Sequence, residues 1–153
     1  MKDETYRIMG TSIEVELPTY VAKVLNEQPG TTLHVGTDSQ NYAGKTVYVS
    51  TIVFRFPGRG AHVIYTKQKV KRIRDMWTRL WSETERSIAI ANYLRDELHV
   101  PVEQVDLDYN ESPEFPSNKV LKVAKGFVES LGFKAKAKPD ILLACWAANA
   151  LCH

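Results

Sequence analysis

Two turn-forming stretches bracket the most strand-like run in this chain, and that pattern constrains the fold more than anything else in it. Thr46 to Phe56 contains Val47, Tyr48, Val49, Thr51, Ile52, Val53 and Phe54. Such β-branched and aromatic residues suit a pleated, half-buried surface. Asn41-Tyr42-Ala43-Gly44 precedes the run and Pro57-Gly58-Arg59-Gly60 follows it, and both read as turns. Leu33 to Asp38 and Ala61 to Gln68 then become its neighbours. Connections this short join antiparallel strands, so residues 33–68 predict a three-stranded meander.

The rest of the chain alternates. Pro18 to Asn26 predicts a helix with Val21, Val24 and Leu25 as its apolar stripe and Pro29-Gly30 as its stop. After the meander, Trp77, Leu80, Trp81, Thr84, Ile88, Ala91, Leu94 and Leu98 recur at helical spacing, which predicts a long helix over 75–98. Residues 103–108 read as a short strand. Ser117 is a good N-cap for a helix running to Leu131, with Gly132 as its stop. Phe133 to Lys138 is a last strand, and Pro139 begins a final helix. A meander followed by strand–helix–strand crossovers predicts an α/β domain: a mixed five-stranded sheet, three strands antiparallel and two parallel, flanked by helices. This order resembles the ribonuclease H architecture. It is not a plain Rossmann alternation, and no Gly-rich phosphate loop is present. Residues 1–14 read as a loose segment ahead of a single domain over 15–153.

A chain of 153 residues supports one domain with a substantial core. The net charge of +2 is small, so a polyanionic partner must be argued from local charge. The N-terminus is of mixed charge, with no apolar stretch of the kind that directs secretion. The most apolar segment, Ile141 to Leu151, is too short to span a bilayer. A cytoplasmic location and no membrane partner are therefore expected. Cys145 and Cys152 lie seven apart on the last predicted helix, roughly 10 Å along its axis. That is too far for a disulfide, and the pair reads as small apolar packing residues.

Acidic residues sit at the ends of these elements. Asp38 closes the strand Leu33 to Asp38, where a carboxylate is costly to bury unless it is paired or metal-bound. A turn-forming Asp is the plainer reading. Glu83 flanks the apolar stripe of the long helix, in competition with Glu85, and either could instead pair with Arg79 or Arg86. Asp108 competes with Asp106, two residues back on the same strand face. Asp108 lies nearer the carboxyl end, where open α/β sheets place ligands. Asp140 follows Pro139 at a helix start, where an acidic residue also complements the helix dipole.

Val35-Gly36-Thr37-Asp38-Ser39-Gln40, Glu83-Thr84, the Gly132 turn and Lys138-Pro139-Asp140 resemble the YkuK-like family of the ribonuclease H-like superfamily. The resemblance covers roughly residues 15–150, and the Gly-Thr-Asp-Ser-Gln run is its most specific piece. It implies the fold and a metal site of Asp38, Glu83, Asp108 and Asp140. It favours Glu83 over Glu85 and Asp108 over Asp106, while the geometry alone leaves both choices open. Two Mg²⁺ or Mn²⁺ ions are the expected cofactors, since hard cations take carboxylate oxygens. The expected activity is metal-dependent phosphodiester hydrolysis, leaving 3′-hydroxyl and 5′-phosphate ends by superfamily analogy. The alternative is a catalytically silent module that binds nucleic acid or protein. One departure stands out. Many ribonuclease H enzymes carry a histidine before the last aspartate, and none occurs here between Asp108 and Asp140. Lys138 is a candidate substitute.

Nucleic acid (RNA, DNA or a hybrid) is the expected partner. Lys67, Lys69, Lys71, Arg72, Arg74 and Arg79 cluster around Trp77 and Trp81. Of these, Lys69, Lys71, Arg72, Arg74 and Arg79 are the candidate phosphate-binding cations, with the aromatics as stacking groups. The tryptophans also share the apolar stripe, so the core is the expected place for both. Lys134, Lys136 and Lys138 form a second basic row, which would also solubilise a sheet edge. The four histidines have no metal-ligand spacing. The final helix is apolar almost all round, which suggests a homodimer through it.

Overall fold

A computed structural model describes residues 4–110, 114, 117–138 and 142–152 of the chain. Among the described residues the sheet has seven strands: β1 (Tyr6–Ile8), β2 (Glu14–Val15), β3 (Thr32–Tyr42), β4 (Lys45–Phe56), β5 (Gly60–Lys71), β6 (Gln104–Asn110) and β7 (Ala135–Lys138). The helices are α1 (Leu17–Glu27), α2 (Met76–Asn92), α3 (Ser117–Ser130) and α4 (Leu143–Cys152). A π-helical turn over Tyr93–Glu97 continues α2.

The spatial order is β2-β1-β5-β4-β3-β6-β7. The expected five strands form its centre and one edge. β3, β4 and β5 are antiparallel, while β6 and β7 run parallel to β3. The two further strands come from the segment read as loose. β1 pairs with the free edge of β5 at Arg7↔Tyr65 and Ile8↔Ile64, and β2 pairs with β1. Strands of three and two residues are too short to show a period of two, so nothing in their sequence announces them. Burial of Tyr6 (0% exposed) anchors the pair to the core.

Strand alternation divides the side chains between two faces. On one face, Ile52, Phe54 and Ile64 join Leu33 and Val35 under α1 (Leu17, Val21, Val24) and the Ile90–Leu94 end of α2. Each such large apolar side chain contributes about 1.5–3 kcal/mol by burial. Val105, Leu107, Tyr109, Ala135 and Ala137 continue that face under α2 and α3. On the opposite face, Val47 and Val49 pack against Ala148 of α4. α4 comes unusually close at Gly36, where an added Cβ would lie 2.9 Å from both Ala144 Cβ and Cys145 N. Gly36 therefore admits the helix, since any side chain there would meet the backbone of α4. Thr51 Oγ1 donates to the Ala144 carbonyl at 2.7 Å and fixes the same contact.

Two strand ends differ from expectation. β3 runs four residues past Asp38, because the β3–β4 pairing continues to Tyr42↔Lys45 and closes on a two-residue turn. Ala43 adopts φ 52° in that turn. β6 likewise runs on to Asn110. Pro139 and Asp140, expected to open the last helix, lie outside the described residues, as does His153.

Candidate metal centre

The parallel pairing of β3 with β6 stops at Gly36↔Asp106. Asp38 and Asp108 each lie two residues further on, where the strands are no longer paired. The β6–β7 register also shifts between Leu107 and Asn110, an irregularity of the kind that re-aims side chains. The result is a notch where two parallel strands part, toward their carboxyl ends, the side on which open α/β sheets place ligands.

Glu83 approaches the notch from α2. Its position is set by a row of buried hydroxyls. Ser87 Oγ donates to Thr37 Oγ1 at 2.8 Å, and Thr37 Oγ1 lies 2.9 Å from Ser50 Oγ. One turn earlier, Ser39 Oγ donates to Glu83 Oε1 at 2.5 Å. Tyr109 hydrogen-bonds Thr84 and the Leu80 carbonyl, fixing α2 against β6. Glu83 is 3% exposed, and its Oε2 is buried without a hydrogen-bond partner among the described residues. Burial pushes its carboxyl well above the usual range; the Ser39 hydroxyl opposes this, the charges of Asp38 and Asp108 add to it, and Arg79 opposes it. Both aspartates are thus close enough for their charges to bear on Glu83. Glu85, the competing residue, is exposed on the flank of the helix.

The two aspartates of β6 have different surroundings. Asp106 is 2% exposed. Its Oδ1 accepts from the Gln104 amide at 2.6 Å, and its Oδ2 accepts from Ala144 N at 2.8 Å. Asp106 therefore ties β6 to the start of α4. Burial raises its carboxyl, against those hydrogen bonds. Asp108 is partly exposed and pairs with Lys138 Nζ at 2.8 Å. That contact raises the Lys138 ammonium above its ordinary value. Asp38 accepts from Ser39 N at 2.9 Å. Nearby, Cys152 is pushed up to about 12 by burial and by the charges of Asp38 and Glu83.

The donors Asp38, Glu83 and Asp108 are hard oxygens, and one oxygen of Glu83 has no hydrogen-bond partner among the described residues. Both facts fit a divalent cation. Among the described residues no group of three or more His, Cys, Asp or Glu side chains closes into a metal-ligand set. The fourth expected carboxylate, Asp140, is outside them.

The predicted phosphate-binding cations do not act alike. Lys69, Lys71, Arg72 and Arg74 are exposed, and Arg72 Nη1 donates to the Ala43 carbonyl at 2.7 Å. Arg79 is half-buried, its Nε buried without a hydrogen-bond partner among the described residues, and its charge bears on Glu83. The tryptophans separate as well. Trp81 packs on Phe127 with ring centroids 5.6 Å apart, whereas Trp77 is 43% exposed rather than in the core. Trp77 sits in the first turn of α2, before β3 and β6 supply a surface to cover it.

A family model described as ribonuclease H-like matches residues 16–153. The chain belongs to the ribonuclease H-like family. The match agrees with the resemblance carried by the Gly-Thr-Asp-Ser-Gln run, and it places the protein in a fold group named for a ribonuclease. No curated protein and no solved structure matches the chain significantly. Among the described residues no helix of this ribonuclease H-like protein is long and apolar enough to cross a membrane.

Proposed function

We propose that this protein is a metal-dependent nuclease whose cations are held by Asp38, Glu83, Asp108 and Asp140. The observation that carries the reading is Glu83 Oε2, a buried carboxylate oxygen with no hydrogen-bond partner among the described residues, beside two further carboxylates where β3 and β6 part. An unpaired buried charge is expensive, and a divalent cation would relieve it. Two Mg²⁺ or Mn²⁺ ions at this position would supply positive charge at the phosphorus centre and a water that ionises near neutral pH.

The chain's own residues divide the remaining work. Ser39 orients Glu83. Asp106 holds α4 against the notch. Lys138 neutralises Asp108 and stands ready for a phosphate oxygen once cations take over that carboxylate. The test is cleavage of labelled RNA, single- and double-stranded DNA, RNA/DNA hybrid and four-way junction with Mg²⁺ or Mn²⁺, beside Asp38→Asn and Glu83→Gln. Metal-dependent cleavage that both variants lose supports the reading. A folded wild type that cleaves nothing overturns it.

One observation favours a second reading, the catalytically silent binding module. Lys138 already supplies Asp108 with a cation, so the carboxylates would not all require metal. That reading expects nucleic-acid binding to survive Asp38→Asn unchanged.

A further inference from the structure

A cleft of about 290 Å³ opens beside Asp108, lined by Asp108, Lys138, Leu142, Cys145, Trp146 and Asn149. Trp146 is 68% exposed. An indole with that much surface in water, at the mouth of a cleft that also holds an ion pair, is a large apolar group that no element covers among the described residues. Trp146 and Asn149 are three residues apart on α4, so they share a helix face. Opposite them stands the Lys138–Asp108 pair.

These groups match the parts of a nucleotide. The indole offers a flat face on which a base can stack. The Asn149 amide carries a donor and an acceptor, the pair that reads the edge of a purine. Lys138 suits a phosphate oxygen. A protein surface matches them less well, since interface cores are depleted of charge. Covering the Lys138–Asp108 pair with an apolar partner would also desolvate it. A base paired inside a duplex cannot use the site, because both its faces are already covered by its neighbours in the stack.

We propose that Trp146 and Asn149 form a subsite for one unpaired nucleobase next to the carboxylate centre, so that the substrate class is single-stranded nucleic acid or an unpaired end. The position of this subsite relative to the reaction rests on the nuclease reading above, but the binding it claims does not.

The test is fluorescence anisotropy of a labelled single-stranded oligonucleotide and of its blunt duplex, in EDTA and again with Ca²⁺, for wild type, Trp146→Ala, Trp146→Phe and Asn149→Ala. Because Trp146 is exposed, all four proteins should unfold at the same denaturant midpoint. In at least one buffer, Trp146→Ala should weaken single-strand binding about tenfold, Trp146→Phe should recover most of it, and duplex binding should not change. Asn149→Ala should weaken binding by an amount that varies with base identity. Equal single-strand affinity for wild type and Trp146→Ala overturns the proposal, as does an equal loss on duplex, or a wild type that binds no single strand. Sedimentation of the same proteins covers the other occupant. If Trp146→Ala shifts a dimer to monomer and leaves oligonucleotide binding unchanged, the indole belongs to a self-association surface. Cleavage can fail in the nuclease assay while this binding pattern holds, so the two readings fall separately.

Discussion

Glu83 carries an acid group where water does not reach, and its proton equilibrium follows from that. Because its folded-state pKa lies above the ordinary value of 4.5, the folded protein holds the proton more tightly than the unfolded chain. The stability this lends is full below about pH 4.5 and is lost as pH rises through the folded value. In metal-free buffer at neutral pH, Glu83→Gln should therefore be more stable than wild type by about 1–3 kcal/mol, and the gap should close toward pH 4. Urea unfolding across that range measures it. Added Mg²⁺ should raise the wild-type midpoint and leave Glu83→Gln unmoved; a wild type indifferent to Mg²⁺ would count against the metal centre. His34 behaves in the opposite sense. It is 4% exposed, with neither ring nitrogen hydrogen-bonded among the described residues, and burial, then the Arg55 charge, lowers its pKa from 6.5. Its contribution to stability is intact above about pH 6.5 and is lost as pH falls below it. His34→Leu should match or exceed wild-type stability at pH 7 and should lose less between pH 7 and pH 5, measured by the same unfolding curves.

At the scale of elements, the two aspartates of β6 differ in what holds them. Asp106 satisfies a backbone N–H of α4 and the Gln104 amide, so Asp106→Ala leaves two buried donors without acceptors. It should cost about 1–3 kcal/mol or more, seen as a lowered urea midpoint. Asp108→Asn should keep the wild-type midpoint within about 1 kcal/mol, because its partner Lys138 is largely exposed, and should abolish cleavage. Sequence alone could not separate this pair, since alternation sends both side chains to one face. What distinguishes them is where α4 begins, a tertiary fact. The meander was legible because each of its strands is long and bounded by turn residues. The edge strands β1 and β2 were not, because two or three residues carry no pattern. Asp38 was legible as a turning point in polarity, Val35-Gly36-Thr37 giving way to Ser39-Gln40-Asn41. It is not the strand's end, since backbone pairing to β4 continues beneath polar side chains. The final helix was legible as apolar almost all round, too much so to be buried on every face, but only the packing of α4 shows that Trp146 is a side chain left outside.

Across the whole molecule, charge is arranged so that a net value of +2 hides a directed field. Lys67, Lys69 and Lys71 alternate along β5 and therefore project from one face. It is the face of Asp38, because Asp38 pairs with Val49 and Val49 with Lys67. Two strand spacings put Lys67 about 10 Å from Asp38, with the next lysines following at about 7 Å intervals. Arg7, Lys67 and Lys69 line a further cleft of about 310 Å³ on the β1 side. A strand with one base at Trp146 and its scissile phosphate at the notch reaches this row only by passing around α4, because Val47 and Val49 of β4 between them lie buried under Ala148. Each phosphate that a lysine neutralises on a single strand releases about 0.7 of a counterion. Replacing Lys67, Lys69 and Lys71 together by alanine should therefore lower the slope of log affinity against log salt by about 2. The loss should be nearly the same for every base sequence, because phosphate contacts carry no sequence information. Titrating oligonucleotide binding at several salt concentrations measures both. An unchanged slope would mean that the strand leaves the notch in another direction, along Arg72, Arg74 and the exposed Trp77. The same titration on an Arg72→Ala, Arg74→Ala double variant would then show the missing decrement, about 1.4 for two contacts.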